Sequence, residues 1–324
     1  MDEFDLIDRL IAPLATAPGA QGLGNDGATI APGPGCELVI TKDMMAEDVH
    51  FLADDPPDLI ARKLLRVNLS DLAAMGARPL GYLLGLSSDG RRDETWFRAF
   101  CKGLQQDQEQ FDVSLLGGDT IASPKGVLTL SLTAFGEVPV GHSLSRSAVQ
   151  PDDLVAVTGT IGDAALGLRA IRGELAELDE SKRMFLSDRY RLPQPRTVLG
   201  PALVGLAHAA LDVSDGLIAD AGHLASRSRL AVNLDWTRIP LSDAGRTALN
   251  RDSGLKSVVL GGGDDYELLF TFAPANLDQV EAVAFECGVT VTVIGTCAIG
   301  AGAHVFAPDG QEIGLQEDGW RHKS

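Results

Sequence analysis

Apolar positions recur at helical spacing in EFDLIDRLIAPLA, residues 3–15, which predicts a first short helix. ATIAP and ELVITKDMM have the look of strands. Pro56 and Pro57 then open a long helical pattern, DLIARKLLRVNLSDLAAMGA, because proline is tolerated in a first turn. Gly76 and Pro79 end it. GYLLGLSS predicts a strand, DETWFRAFCKGLQQDQEQF a helix, and VSLLGG and VLTLSLTAFGEV two further strands.

Residues 139–153, PVGHSLSRSAVQPDD, break this rhythm with a polar connection that has proline at both ends, a domain boundary by composition. A second α/β pattern follows. LVAVTGT reads as a strand, DAALGLRAIRG as a helix, and a helical pair extends to about residue 209. LDVSDGL reads as a short strand turning into a helix at Gly216, with Ser214 and Asp215 placed to cap it. The strand AVNLDW, a helix near DAGRTALN, the strand YELLFTF, the helix LDQVEAVAFECG and the strand VTVIGT complete the pattern. The expectation is a mixed α/β chain of two domains, residues 1–138 and 150–324, consistent with a length of 324.

Composition narrows the classes. Apolar residues make up 45%, enough for ordinary cores. The acidic start MDEFDLIDRL lacks the basic and apolar regions of a signal peptide, and no apolar run approaches the ~20 residues that span a bilayer. A soluble, cytoplasmic protein without a membrane partner is expected. Cys36, Cys101, Cys287 and Cys297 form no CxxC pair, which argues against zinc and for reduced thiols. The net charge of −18, from 27 basic and 45 acidic residues with no Lys/Arg run, argues against a nucleic-acid partner.

No GxxxxGK[ST], HRD, DFG or GxSxG is present, which removes Walker-type, protein-kinase and nucleophile-elbow chemistry. What recurs instead is acid at the ends of apolar runs: Asp26 in GNDGATI, Asp43 in VITKDMM, Asp71 in NLSDLAAM, Asp119 in LLGGDT, and Asp212 and Asp215 in LDVSDGL. Each alone reads as a cap, a turn residue or a solvated face. Asp71 resists that reading, because its helix is strongly apolar and Asp is a poor interior helix former. Together, acids at the ends of neighbouring strands can converge at one edge of a sheet. Oxygen ligands without His or Cys suit Mg²⁺, which is held by one or two carboxylates plus phosphates, so six acids imply several ions and more than one phosphate.

NLSDLAAMGA, LLGGDT, DVSDGL and GGGDDYELLF, in this order and spacing, resemble the thiamine-monophosphate kinase family, of the aminoimidazole ribonucleotide synthetase-like superfamily. The resemblance covers nearly the whole chain. It implies ATP- and Mg²⁺-dependent phosphorylation of thiamine monophosphate to the diphosphate. It also implies a homodimer whose N-terminal domains, the ATP- and metal-binding ones, pair their sheets into a barrel. By motif position, Asp26, Thr41, Lys42, Asp43, Asp71, Asp119, Asp212 and Asp215 would surround the metals, although the Lys42 side chain cannot itself ligate a cation. Gly118, Asp119, Arg146 and Ser214 would touch ATP, and His50, Asp264 and Trp320 would line the thiamine-phosphate site. Four positions depart from the family pattern: Asn25 stands for Asp, Lys42 for Thr or Val, Asp48 for Gly, and Asp264 for Glu.

The implied chemistry is direct in-line transfer. Donor and acceptor are both anionic, so repulsion is the chief obstacle, which metal ions and a bidentate Arg146 would offset. A sister synthetase acting on formylglycinamidine ribonucleotide or selenide is one rival. The selenide enzymes carry a reactive Cys or selenocysteine near the N-terminus, whereas Cys36 here lies outside any Gly-rich loop. A non-catalytic nucleotide-binding regulator is the other rival, and the intact set of six acids argues against it.

Overall fold

The computed structural model describes residues 3–123 and 126–314, so the expected role of Trp320 falls outside the described residues. The chain divides into two compact units, one of residues 1–72 and 77–141, the other of residues 73–76 and 142–324. The mixed α/β, two-unit architecture agrees with the patterning.

The first unit begins with a helical stretch, α1 (Glu3–Leu6), continuing through a π segment Ile7–Ile11 and a 3-10 turn Ala12–Leu14. β1 (Cys36–Ala46), α2 (Pro57–Ala74), β2 (Arg78–Ser88), α3 (Glu94–Phe111), β3 (Ser114–Ala122) and β4 (Thr129–Pro139) follow. The four strands order as β1-β4-β2-β3, antiparallel except for the β2/β3 pair, which α3 connects. One face is apolar, with Val39, Met45, Tyr82, Leu84, Leu130 and Leu132 buried. α2 lies against it: a Cβ on Gly136 of β4 would stand 3.1 Å from a methyl of Leu72. Between α2 and α3, the buried Arg66 donates to both oxygens of Asp107, at 2.7 and 2.9 Å, and Arg62 donates to the same carboxylate at 2.8 Å. Paired this closely, the buried acid is not left without a compensating partner.

The second unit carries β5 (Leu154–Thr158), α4 (Asp163–Ile171), α5 (Glu180–Arg191), α6 (Leu199–Ala202), β6 (Ala207–Asp212), α7 (Leu217–Ser228), β7 (Ala231–Asp235), α8 (Asp243–Arg251), α9 (Lys256–Gly261), β8 (Leu268–Phe272), α10 (Leu277–Glu286), β9 (Val291–Ala298) and β10 (Gly302–Phe306). Its sheet orders as β10-β7-β9-β5-β8-β6 and is covered on both faces. Val155, Val157, Leu211 and Leu269 pack into one core with Leu217, Leu224 and Val259. Ala156, Ala210, Phe270 and Phe272 pack into another with Leu199, Leu203 and Val280. A strand buried on both faces loses the polar/apolar alternation, hence LLFTF, apolar apart from the buried Thr271.

Three local expectations differ from the structure. ATIAP forms no ladder; Ala28 and Ile30 pack in a small cluster with Ala20 and Leu116 instead, so its apolar residues serve a cover over the sheet. The helical reading to residue 209 ends earlier, because AHAALD forms the edge strand β6 on β8. Its alanines favour helix intrinsically, and pairing with β8 overrides that weak preference. β10, a five-residue strand beside β7, lies beyond VTVIGT, where the expected pattern ends.

Candidate functional site

The acids of the first unit form two groups, separated by strand parity. Neither Asp43 nor Asp119 ends its strand; β1 and β3 both continue past them. Asp43 pairs with Leu132, Leu132 with Leu84, and Leu84 with Gly118, and the leucines of this row are buried on the face that α2 covers. Met44, Ser131, Gly85 and Asp119 form the next row, and side chains of successive residues point to opposite faces.

On the covered face, Asn68 of α2 organises the group. Its Oδ1 accepts from the Asp43 backbone N–H at 3.1 Å, its carbonyl oxygen accepts from the Thr41 hydroxyl at 3.4 Å, and its own Nδ2 donates to Leu64 O. Asp71 follows one helical turn later and is half-buried. An asparagine on α2 thus anchors β1 at Thr41 and Asp43, and Asp71 lies three residues further along the same helix. Asn68 stands inside the NLSD motif, but the sequence gives no sign of this role.

On the other face lies a cavity of about 570 Å³, lined by Asn25, Asp26, Gly118, Asp119, Ser131 and Thr133 among others, with Ile7, Ile11 and Leu116 giving it an apolar wall. Gly118 is required by packing: a Cβ there would fall 2.0 Å from the Leu84 carbonyl oxygen. Asp119 is exposed, and its Oδ1 accepts from the Thr120 N–H at 2.9 Å. Lys42 shares parity with this face and donates to the Ser131 hydroxyl.

His50 lies just beyond β1, half-buried. The Ala46 N–H donates to its Nδ1 at 3.1 Å and Lys63 donates to its carbonyl at 2.9 Å. Because Nδ1 accepts, the neutral ring carries its proton on Nε2. The same turn explains the departure at Asp48, whose φ of +61° lies in the left-handed region natural to glycine. Asp is among the residues that tolerate it, and its Oδ1 accepts from the Ala53 N–H at 3.3 Å.

In the second unit β6 delivers Asp212, buried, to the start of the turn. Ser214 and Asp215 do not cap α7. Asp220, one turn inside the helix, reaches back, and its Oδ2 accepts from the N–H groups of Ser214 and Asp215, both at 3.0 Å. Burial, together with the Asp212 and Asp215 charges, pushes the Asp220 carboxyl up to about 8, while Arg146 acts in the opposite direction. Arg146 is exposed and follows Ser145, whose carbonyl accepts from the Ala210 N–H of β6 at 3.2 Å. Gly216 has φ +114°, and a Cβ there would meet the Gly261 carbonyl at 2.6 Å. Asp215, Asp220 and His223 each offer a ligand atom, all within 4.8 Å of one another. Asp220, though a conspicuous acid in LDVSDGLIAD, and His223 both stand outside the expected ligand set; their i, i+3 spacing on α7 is the available sign.

Asp264 joins this turn, its N–H donating to Ser214 O at 2.9 Å, and Tyr266 N–H donates to Val213 O at 2.8 Å. Both residues have positive φ, +72° and +51°. Such backbone persists only where surroundings over-determine it. The residue between them does so. Buried Asp265 accepts from the Gly162 N–H at 2.6 Å and the Ala164 N–H at 3.1 Å, at the start of α4. Burial pushes its carboxyl up to about 8, with the Asp163 charge adding to the rise and Arg189 opposing it. Glu267, fully buried, accepts from Arg189, Arg196 and the Thr158 hydroxyl.

The AIR synthase related protein N-terminal domain model matches residues 24–138, and the corresponding C-terminal domain model matches residues 150–305. A thiamine-monophosphate kinase of Caulobacter vibrioides is 41% identical over 325 residues, covering 99% of this chain and 90% of the relative. The crystal structure of a thiamine-monophosphate kinase from Stenotrophomonas maltophilia K279a superimposes with a TM-score of 0.85 at 41% identity, covering 97% of this chain and 98% of that one. AaThiL complexed with AMPPCP and TMP gives a TM-score of 0.79 at 29% identity, covering 99% of this chain and 97% of that one. With both halves of its length matched and its motifs set in the geometry above, the chain belongs to the thiamine-monophosphate kinase family of AIR synthase related proteins.

Proposed function

We propose that this protein transfers the γ-phosphoryl group of ATP to the phosphate of thiamine monophosphate, giving thiamine diphosphate and ADP, with Mg²⁺ as the metal. The observation that carries the reading is the chemistry of the donors. Apart from the exposed His223, the acid groups present only oxygens: Asp26 and Asp119 in the cavity, Thr41, Asp43 and Asp71 around Asn68, Asp212 and Asp215 at the α7 turn. Such donors fit Mg²⁺. These residues would hold the ions, and Mg²⁺ bound there supplies charge neutralisation and alignment for in-line transfer. The family relatives named above and the AaThiL complex with AMPPCP, an ATP analogue, and TMP support the substrate pair.

The chain's own residues have defined tasks in this proposal. Gly118 lets the backbone approach a polyphosphate, and the apolar wall of Ile7 and Ile11 takes the base. Ser214 and Arg146 hold phosphate oxygens, the latter as a two-pronged donor. His50, protonated on Nε2, donates to the acceptor, and Asp264 lines the thiamine side. The acceptor monoester already carries about −1.5 to −2 charge, so no general base is needed. We further propose a homodimer formed through the N-terminal sheets, supported by the apolar side chains Ile40 and Met44, 60% and 55% exposed on edge strand β1.

The test is incubation with Mg²⁺, ATP and either thiamine monophosphate or thiamine, followed by ADP release. ADP formation with the monophosphate alone supports the proposal; equal turnover with free thiamine rules it out.

A further inference from the structure

We propose that Lys42 is a phosphate-binding residue of the first unit's cavity, a resident positive charge that takes a polyphosphate oxygen opposite the Asp26/Asp119 pole. The proposal rests on the nucleotide reading above. Three observations carry it.

First, Lys42 reaches the neighbouring strand. An edge strand such as β1 often carries lysine simply to discourage pairing with other chains, and that lysine points outward into water. Here the ammonium, although exposed, bends along the sheet and donates to the hydroxyl of Ser131 on β4, a residue that lines the cavity.

Second, its charge is not spent. Among the described residues no carboxylate pairs with Lys42. Its one partner is a neutral hydroxyl, which leaves two further N–H donors on an ammonium that has three. In a chain with a net charge of −18 this is an unusual place for an unmatched cation.

Third, the spacing suits a chain of phosphates. Ser131, Gly85 and Asp119 lie on one row of three neighbouring strands. Adjacent strands are about 4.8 Å apart, so Ser131 and Asp119 are separated by roughly 10 Å. The middle position is glycine, which leaves an open trough between a cation at one end and carboxylates at the other. A polyphosphate lying in it meets Lys42 directly at one end and can meet Asp26 and Asp119 through metal at the other. Lysine serves phosphate well as a point charge, and the departure from Thr or Val at this position acquires a purpose.

The test is calorimetric binding of ATP and AMP, in Mg²⁺, to the full-length protein and to Lys42→Met, Lys42→Thr and Lys42→Arg, with melting temperatures confirming that each variant is folded. ATP affinity is expected to fall about tenfold or more in Lys42→Met and Lys42→Thr, the loss of a hydrogen bond from a charged donor. Lys42→Arg should recover most of it, and AMP affinity should stay level throughout. Unchanged ATP affinity in Lys42→Met, equal losses for ATP and AMP, or no rescue by Lys42→Arg would overturn the proposal. Wild-type protein that binds ATP with this dependence on Lys42 but leaves thiamine monophosphate unphosphorylated would refute the proposed reaction and leave the role of Lys42 standing.

Discussion

Asp220 holds Asp215: the Oδ2 of one accepts the backbone N–H of the other at 3.0 Å, and the Ser214 N–H shares the same oxygen. The turn that presents Asp212 and Asp215 is therefore built from within the helix that follows it. Asp220→Ala leaves two N–H groups at a partly buried turn without that acceptor. A lost buried partner costs about 1 to 3 kcal/mol, so the melting temperature should drop by several degrees. Asp220→Asn retains an acceptor oxygen and should recover much of that loss. Equal melting of Asp220→Ala and wild type would show that the turn forms without this contact.

Asp265 gives the metal-free protein a pH-dependent stability. In the unfolded chain its carboxyl titrates near about 3.9, whereas in the fold burial pushes it up to about 8. Between these values the folded chain binds more protons than the unfolded one, so this group's contribution is full below about pH 4 and is lost as pH rises towards about 8. Chemical denaturation in EDTA across this range should show the advantage of wild type over Asp265→Asn shrinking with pH. A constant difference would mean that Asp265 is ionised throughout.

Asp71→Asn and Asp119→Asn should each lower kcat about a hundredfold or more, if their oxygens meet the metal whose charge stabilisation is worth several kcal/mol. Asp119 is exposed, so its melting temperature should hardly move. Activity that survives together with a lowered melting point would assign these acids to capping or packing. Kinetics and a thermal melt on the same sample separate the two.

Gly118→Ala tests the close approach of β3 to β2. The added Cβ would fall 2.0 Å from the Leu84 carbonyl oxygen, a backbone atom held in the sheet. Overpacking of this kind costs about 1 to 3 kcal/mol, and the shift should also weaken ATP binding through the neighbouring Asp119. Unaltered stability and ATP affinity would show that the strands can part there without consequence.

Transfer should be direct, without a phosphoenzyme, because a covalent step needs an activated nucleophile and the proposed site has a ready one in the acceptor phosphate. A rapid acid quench during turnover followed by mass spectrometry checks this; a phosphorylated side chain would disprove it.

The sequence by itself determined the alternation of strands and helices in both halves, because burial against a sheet or along a helix face imposes period 2 or 3.6 on the apolar residues. It also marked Asp26, Asp43, Asp71, Asp119, Asp212 and Asp215, since acids embedded in apolar runs stand out without knowledge of their neighbours. It misplaced elements where local preference and pairing disagree: ATIAP has the pattern of a strand and no partner, while AHAALD has alanines and a partner in β8. Only the tertiary structure decided which acids share a face. Strand register puts Asp43 with Asn68 and Asp119 with Ser131, and register is set by pairing between distant segments. The same holds for Asp220 and Asp265, which look like ordinary helix and loop acids in the text of the chain. Their tasks depend on backbone N–H groups that folding brings to them, from the turn before α7 and from the start of α4. Backbone donors leave no trace in residue identity, which is why the supports of the site were illegible until the chain was folded.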